Sequence, residues 1–255
     1  RAAVRVAERE NTTLYAVALA AYKVLLHRLS GQRDLIVGTA FAGRDHPVTE
    51  RLFGCFAKTV ALRTDLTGAE SYAEVVRRVR ETVLGAQDHQ LVPYEEIVAR
   101  LDIPRDPGVE PVFQAQFTFQ EAATERLPGA EFDGMGIAEY GSAKWDLTLV
   151  LTKMPEAGLS GLFEGSADLF DKATVRRFAD MYARLLRSLI AEPDRPIDEH
   201  PLVSAEERQR ILYGLNPYER PEHPYRTLAE PFEEQAARTP DAVALVGDEG
   251  TLTYA

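Results

Sequence analysis

Apolar and polar positions alternate along this chain in two distinct rhythms. Asn11-Thr12-Thr13 offers helix-capping side chains. Leu14, Val17, Leu19, Tyr22, Leu25, Leu26 and Leu29 follow, dense enough to predict a mostly buried helix that stops at Ser30-Gly31. Residues 34–39 read as a short buried strand. Pro47 pushes His46 away from helical angles, so Arg44-Asp45-His46-Pro47 reads as loop. Residues 55–62 are strand-like. Ser71-Tyr72-Ala73-Glu74 fits a capping box, opening a helix with Val75, Val76, Val79, Val83 and Leu84 on its inner face. Pro93 starts a shorter helix.

The two-residue rhythm is clearest over residues 112–119. Phe113, Ala115, Phe117 and Phe119 are expected on one face, with Gln114, Gln116 and Thr118 on the other. Asp133-Gly134 offers a hairpin turn. A second alternating strand would place Trp145, Leu147, Leu149 and Leu151 together. Asp171 opens a strong amphipathic helix through Phe178, Met181, Tyr182, Leu185, Leu186 and Leu189, ending before Pro193. Six prolines between 193 and 224 then punctuate a stretch with one short helix signal at Ser204-Ala205-Glu206-Glu207, the pattern of a partly ordered linker. Thr227 could open a further helix. Residues 243–246 and 251–254 flank a turn as the first hairpin of another domain would. Both chain ends read as cut from something longer.

Composition narrows the function classes. At 255 residues the chain is long enough to bury a core without disulfides or metal. Its formal net charge of −11 argues against nucleic acid or an anionic membrane as a partner. No apolar run approaches the ~20 residues of a membrane-spanning helix. The single cysteine, Cys55, rules out an internal disulfide and multi-thiolate metal sites, fits a cytoplasmic location, and is expected to be a small buried filler. No nucleophile elbow, phosphate loop, dinucleotide fingerprint or zinc-ligand spacing occurs, and the five histidines are scattered singly. From the residues alone this is an α/β chain with no self-contained catalytic constellation.

Several segments carry a family likeness. Gly31-Gln32-Arg33-Asp34-Leu35-Ile36-Val37-Gly38-Thr39-Ala40-Phe41-Ala42-Gly43-Arg44 resembles a segment of nonribosomal peptide synthetase condensation domains. Phe53-Gly54-Cys55-Phe56-Ala57-Lys58-Thr59, His89-Gln90-Leu91-Val92-Pro93-Tyr94-Glu95, and Arg105-Asp106 with Pro111-Val112-Phe113 resemble three further motifs in family order. Ala143-Lys144-Trp145-Asp146-Leu147 and Asp168-Leu169-Phe170 continue it. Phe232-Glu233-Glu234-Gln235-Ala236, Thr239-Pro240-Asp241-Ala242 and Leu252-Thr253-Tyr254 resemble the start of an adenylation domain. The departures are specific: Lys58 stands where the family usually has Asn, Leu91 replaces an Asp, Tyr94 a Phe, and Gly108-Val109 a Ser-Arg pair. The family's active-site signature, two adjacent histidines followed by three residues and Asp-Gly, is absent.

The resemblance implies a chloramphenicol-acetyltransferase-like α/β lobe, a mixed sheet flanked by helices, as the C-terminal half of a two-lobed condensation domain. It implies that residues 1–203 form this lobe, 204–226 a linker and 227–255 the start of an adenylation domain. The whole domain would join donor and acceptor thioesters carried on phosphopantetheine arms of peptidyl carrier proteins, with no cofactor bound directly. The implied partners are the N-terminal lobe, both carrier proteins and the downstream adenylation domain. Gly38, Thr39 and Ala42 would line a substrate tunnel. Arg44 would pair with the signature aspartate of the other lobe or cap a loop. Gly54, Lys58 and Thr59 would lie on a strand near the lobe junction. Gln90 belongs to a mostly structural motif, and Trp145 to the core or the tunnel. The fragment alone would be inactive. Two alternatives stand beside this reading: a non-catalytic carrier-docking module and an epimerisation-type relative.

Overall fold

The computed structural model describes residues 1–44, 46–50, 52–103, 106, 108–122, 141–155, 158–215, 225, 227–248 and 250–255. Asp45, Arg105 and the expected Asp133-Gly134 turn lie outside the described residues. The chain divides into two compact units, Arg1–Ser204 and Ala205–Ala255.

The first unit runs α1 (Ala2–Arg9), α2 (Leu14–Ser30), β1 (Asp34–Phe41), α3 (Pro47–Glu50), β2 (Lys58–Asp65), α4 (Tyr72–Asp88), α5 (Tyr94–Arg100), β3 (Ala115–Glu121), β4 (Leu147–Met154), β5 (Gly158–Gly165) and α6 (Lys172–Ala191). The strands form one mixed sheet in the order β2-β1-β3-β4-β5. The outer pairs, β1–β2 and β4–β5, are antiparallel, whereas β3 runs parallel to both β1 and β4. This is the α/β lobe that the resemblance implies.

The core lies on one face of the sheet. Leu35 and Val37 of β1, Leu62 of β2, Phe117 of β3, Leu149 and Leu151 of β4 and Phe163 of β5 meet α2, α4 and α6 there. Residues 16–25 of α2 are all buried, so this helix is enclosed on every side and not amphipathic. Tyr22 anchors the centre, with its ring 6.1 Å from both Phe117 and Phe163 and 6.4 Å from Tyr182. Tyr72 donates to the Val17 carbonyl at 2.6 Å and Tyr182 to the Ala18 carbonyl at 3.1 Å, so each buried phenol is satisfied. Lys23 is fully buried, and its ammonium donates to the carbonyls of Leu35 (3.1 Å) and Leu62 (2.6 Å).

The opposite face carries a smaller cluster of Tyr94, Phe113 and Trp145, with Ile36 and Ala61 packed against it. Here the expected alternation fails. Phe113 and Trp145 do not share the face of Phe117 and Leu149; their rings pack 4.6 Å apart on the other side. Phe113 precedes β3, and Val112 before it has φ 72°, a left-handed backbone that turns the chain across the sheet before the regular pleat begins. Trp145 likewise precedes β4.

Other boundaries move for local reasons. The expected strand at 55–62 occupies 58–65 instead, because β1 ends at Phe41 opposite Lys58 and leaves residues 55–57 without a partner strand. Cys55 is therefore exposed, not a buried filler. Leu84 is exposed, although the helical pattern places it inward. The capping box is present as expected: the Glu74 amide donates to Ser71 Oγ, and the Glu74 carboxylate accepts from the Ser71 amide. Helix α1, which buries Ala3, Val6 and Ala7 on one face, and strand β5 are two further elements of the structure.

After α6 the chain is strapped back onto the first unit. Ile197 and His200 are buried. Arg28 donates to the carbonyls of Ile197 (2.9 Å) and His200 (3.0 Å), and the Ile197 amide donates to the Glu70 carbonyl. The second unit contains α7 (Ala205–Gln209), one π-helical turn, α8 (Glu230–Arg238) and the hairpin β6 (Val243–Gly247) and β7 (Gly250–Thr253). Within it Phe232 packs on Tyr254, with ring centroids 5.1 Å apart.

Candidate functional site

Because β1 and β3 are parallel, their carboxyl ends lie at the same edge of the sheet. Open α/β sheets place ligand clefts at such an edge. Helix α2 leads directly into β1, so its N-terminus returns to that edge. A cleft of about 1120 Å³ opens there. Its walls are the entrance to α2 (Thr13, Tyr15), the exit of β1 (Ala42, Arg44), the last turns of α4 (Arg80, Gln87), Gln90 and Phe119.

Three residues singled out by sequence, Ala42, Arg44 and Gln90, come together in this cleft. Two motif segments that lie nearly fifty positions apart in the chain thus share one wall. Thr39 sits directly behind it. Its hydroxyl accepts from the Tyr15 phenol at 3.0 Å and donates to the Phe117 carbonyl at 2.9 Å. Burial pushes the Tyr15 phenol up to about 12, against a smaller opposing effect of Thr39, so the ring stays neutral.

Gly38 lies on the opposite face from Thr39, as neighbours on a strand must. A Cβ there would come within 1.9 Å of the Phe113 ring, so the glycine serves close packing against the smaller cluster. Trp145 is buried in that same cluster, away from the cleft. Lys58 and Thr59 begin β2, opposite Phe41 and Ala40. Gly54 is not on a strand: it lies in the exposed loop before β2, for the pairing reason given above.

Arg44 organises that loop. Its guanidinium donates to the carbonyls of Thr49, Leu52 (3.0 Å) and Gly54 (3.2 Å), and its Cζ lies 4.5 Å from the centre of the Phe56 ring. Within this unit it is therefore a loop clamp, the second of the two roles expected for it. Gly43 makes the turn possible, with φ +63° and its α-carbon facing the Phe56 carbonyl so closely that a Cβ would sit 1.9 Å from the oxygen.

Sequence reasoning missed Tyr15, Arg80 and Gln87. Asn11-Thr12-Thr13 was legible only as a cap, and Thr13 does accept from the Ala16 amide. The available signal was topological: a helix leading straight into a motif-bearing strand returns its N-terminus to that strand's carboxyl end. Among the described residues no cluster of three His, Cys, Asp or Glu side chains could hold a metal ion, and no helix is long and apolar enough to cross a membrane.

The comparisons with known proteins agree with this architecture. Residues 2–212 match the family model described as Condensation domain. The chain is 39% identical over 252 residues to surfactin synthase subunit 1 of Bacillus subtilis (strain 168), covering 98% of this chain and 7% of that protein. It is 36% identical over 256 residues to malpinin synthetase of Mortierella alpina, covering 100% of this chain and 3% of that protein. Among solved structures, the X-domain from teicoplanin biosynthesis is similar with a TM-score of 0.70 at 27% identity, over 79% of this chain and 47% of that one. A four-domain nonribosomal peptide synthetase bound to AMP and glycine shares the fold with a TM-score of 0.74 at 21% identity, over 99% of this chain and 20% of that one. The chain thus spans less than a tenth of these curated relatives and about half of the solved X-domain. With the sheet, the motif-lined cleft and a match over residues 2–212 in hand, the chain belongs to the condensation-domain family of nonribosomal peptide synthetases.

Proposed function

We propose that residues 1–203 are the C-terminal lobe of a peptide-bond-forming condensation domain, that 204–226 link it onward, and that 227–255 begin an adenylation domain. The convergence of Ala42, Arg44 and Gln90 on one cleft carries this reading. The cleft is one wall of the tunnel through which phosphopantetheine arms of the donor and acceptor carrier proteins would meet. The acceptor amine attacks the donor thioester carbonyl: a C–N bond forms, the C–S bond breaks, and the thiolate leaves on the donor arm. The proton lost by the amine needs a base near neutrality. The described residues that line the cleft include no histidine, so the base belongs to a partner lobe bearing the paired-histidine signature.

In this division of labour the present lobe positions rather than ionises. Holding two tethered reactants in line is itself a large share of such a barrier. Ala42 leaves room for an arm, and Gln90 lines its path. Arg44 shapes the rim through the carbonyls of Thr49, Leu52 and Gly54, with Lys58 and Thr59 bracing β2. Thr39 holds the wall from behind, while Gly38 and Trp145 pack together with Phe113 on the far face of the sheet. The coding sequence upstream of Arg1 tests the reading: a twin-histidine signature within one lobe's length supports it, and its absence contradicts it.

A second reading, a docking module without turnover, draws on the likeness to an X-domain solved in complex with OxyB (TM-score 0.69, 29% identity). Titration of carrier protein onto the intact synthetase separates the two: binding with no condensation on any loaded pair favours docking.

A further inference from the structure

The polar relay behind the cleft has a fixed direction. A carbonyl oxygen only accepts, so the Thr39 hydroxyl must donate to Phe117, as its 2.9 Å contact shows. The Thr39 oxygen is then the acceptor for Tyr15 at 3.0 Å. That bond consumes the single phenolic hydrogen of Tyr15. What the phenol has left is lone pairs, and Tyr15 is among the residues that line the cleft. Edge-on contacts with Phe117 (5.4 Å) and Phe119 (6.2 Å) hold the ring in place. The raised pKa of Tyr15 keeps the oxygen neutral, so it offers no charge, only acceptance.

We propose that Tyr15 is a specificity-determining residue of this cleft, accepting a hydrogen bond from an N–H of the bound chain and thereby selecting a ligand with secondary amides. The proposal rests on the tunnel-wall reading and adds to it the group that meets the arm and the polarity of that meeting. A ligand presenting only carbonyl or ether oxygens at this point would face lone pair against lone pair, and an amide whose nitrogen is methylated would present a methyl group in place of the donor.

The test uses the full chain and pantetheine, whose arm carries two secondary amides, beside its doubly N-methylated analogue. Affinities come from amide chemical-shift titration of the isotope-labelled protein. Wild type is expected to prefer pantetheine over the analogue by about threefold to tenfold, the range for one neutral hydrogen bond. Tyr15→Phe should abolish that preference while leaving the spectrum folded. Thr39→Val lies behind the cleft and frees the phenolic hydrogen, so it should erode the preference without touching the wall. An unchanged preference in either folded variant overturns the assignment of Tyr15 and leaves the tunnel reading standing. Failure of wild type to bind pantetheine at these residues overturns the tunnel reading, and the assignment falls with it.

Discussion

Two kinds of buried residue make the core's chemistry measurable. Lys23 sits among apolar side chains with carbonyl partners, and burial pushes its ammonium down to about 7, against a smaller opposing pull from Asp34. In the unfolded chain a lysine titrates near 10.4. Between these values the unfolded state binds more protons, so stability rises as pH rises from 7 and is lost as pH falls back through the folded value. The rise is bounded above. Burial holds Tyr22, Tyr72 and Tyr182 well above the ordinary phenol range, so stability falls again once the unfolded phenols ionise beyond about pH 10. The urea midpoint is therefore expected to climb between pH 7 and 9, and Lys23→Met should flatten that slope. Gly38 gives a second residue-level prediction. Adding one methyl against the Phe113 ring should cost about 1–3 kcal/mol, the usual range for overpacking, and Gly38→Ala should lower the urea midpoint without changing the slope of the transition.

Among the elements, the capped and strongly periodic ones were legible in sequence. Helix α2 occupies Leu14–Ser30 and α6 begins after its Asp171 cap, because density of apolar residues and a capping side chain act locally. Ser71→Ala should cost α4 about 1 kcal/mol, read as a lower melting temperature with unchanged helix content. What sequence could not give depends on pairing. Residues 55–57 have strand composition but no strand beside them. Phe113 and Trp145 keep the alternation of β3 and β4 on paper, yet the left-handed turn at Val112 sends Phe113 to the other face. The candidate site was legible in half. Ala42 and Gln90 lie in recognisable motifs, whereas Tyr15 and Arg80 reach the cleft through the path of α2 and α4 around the sheet. Gly54 was placed on a strand because its motif runs into one. Arg44 shows why it stays in the loop: the carbonyls of Thr49, Leu52 and Gly54 accept from its guanidinium at the exit of β1 and not from a neighbouring strand. Arg44→Met should loosen residues 46–50 and 52–56, seen as faster amide exchange there while exchange in β1 stays slow.

For the whole molecule, α3 and the loop after it present Val48, Leu52 and a fully exposed Phe53. Exposed apolar side chains of this kind mark surfaces that meet a partner. In the proposed reading that partner is the histidine-bearing lobe. The isolated chain is accordingly expected to self-associate weakly with rising concentration in sedimentation, and Phe53→Asp should reduce that association; a monodisperse monomer at all concentrations would contradict it. The central claim is that this lobe positions substrates while the proton-handling group resides elsewhere. Intact-mass measurement of carrier proteins loaded with donor and acceptor aminoacyl thioesters tests it most directly. With the chain alone, no peptidyl product should accumulate on the acceptor; with a family N-terminal lobe carrying the paired histidines joined to it, product should form. Product from the chain alone would contradict the account.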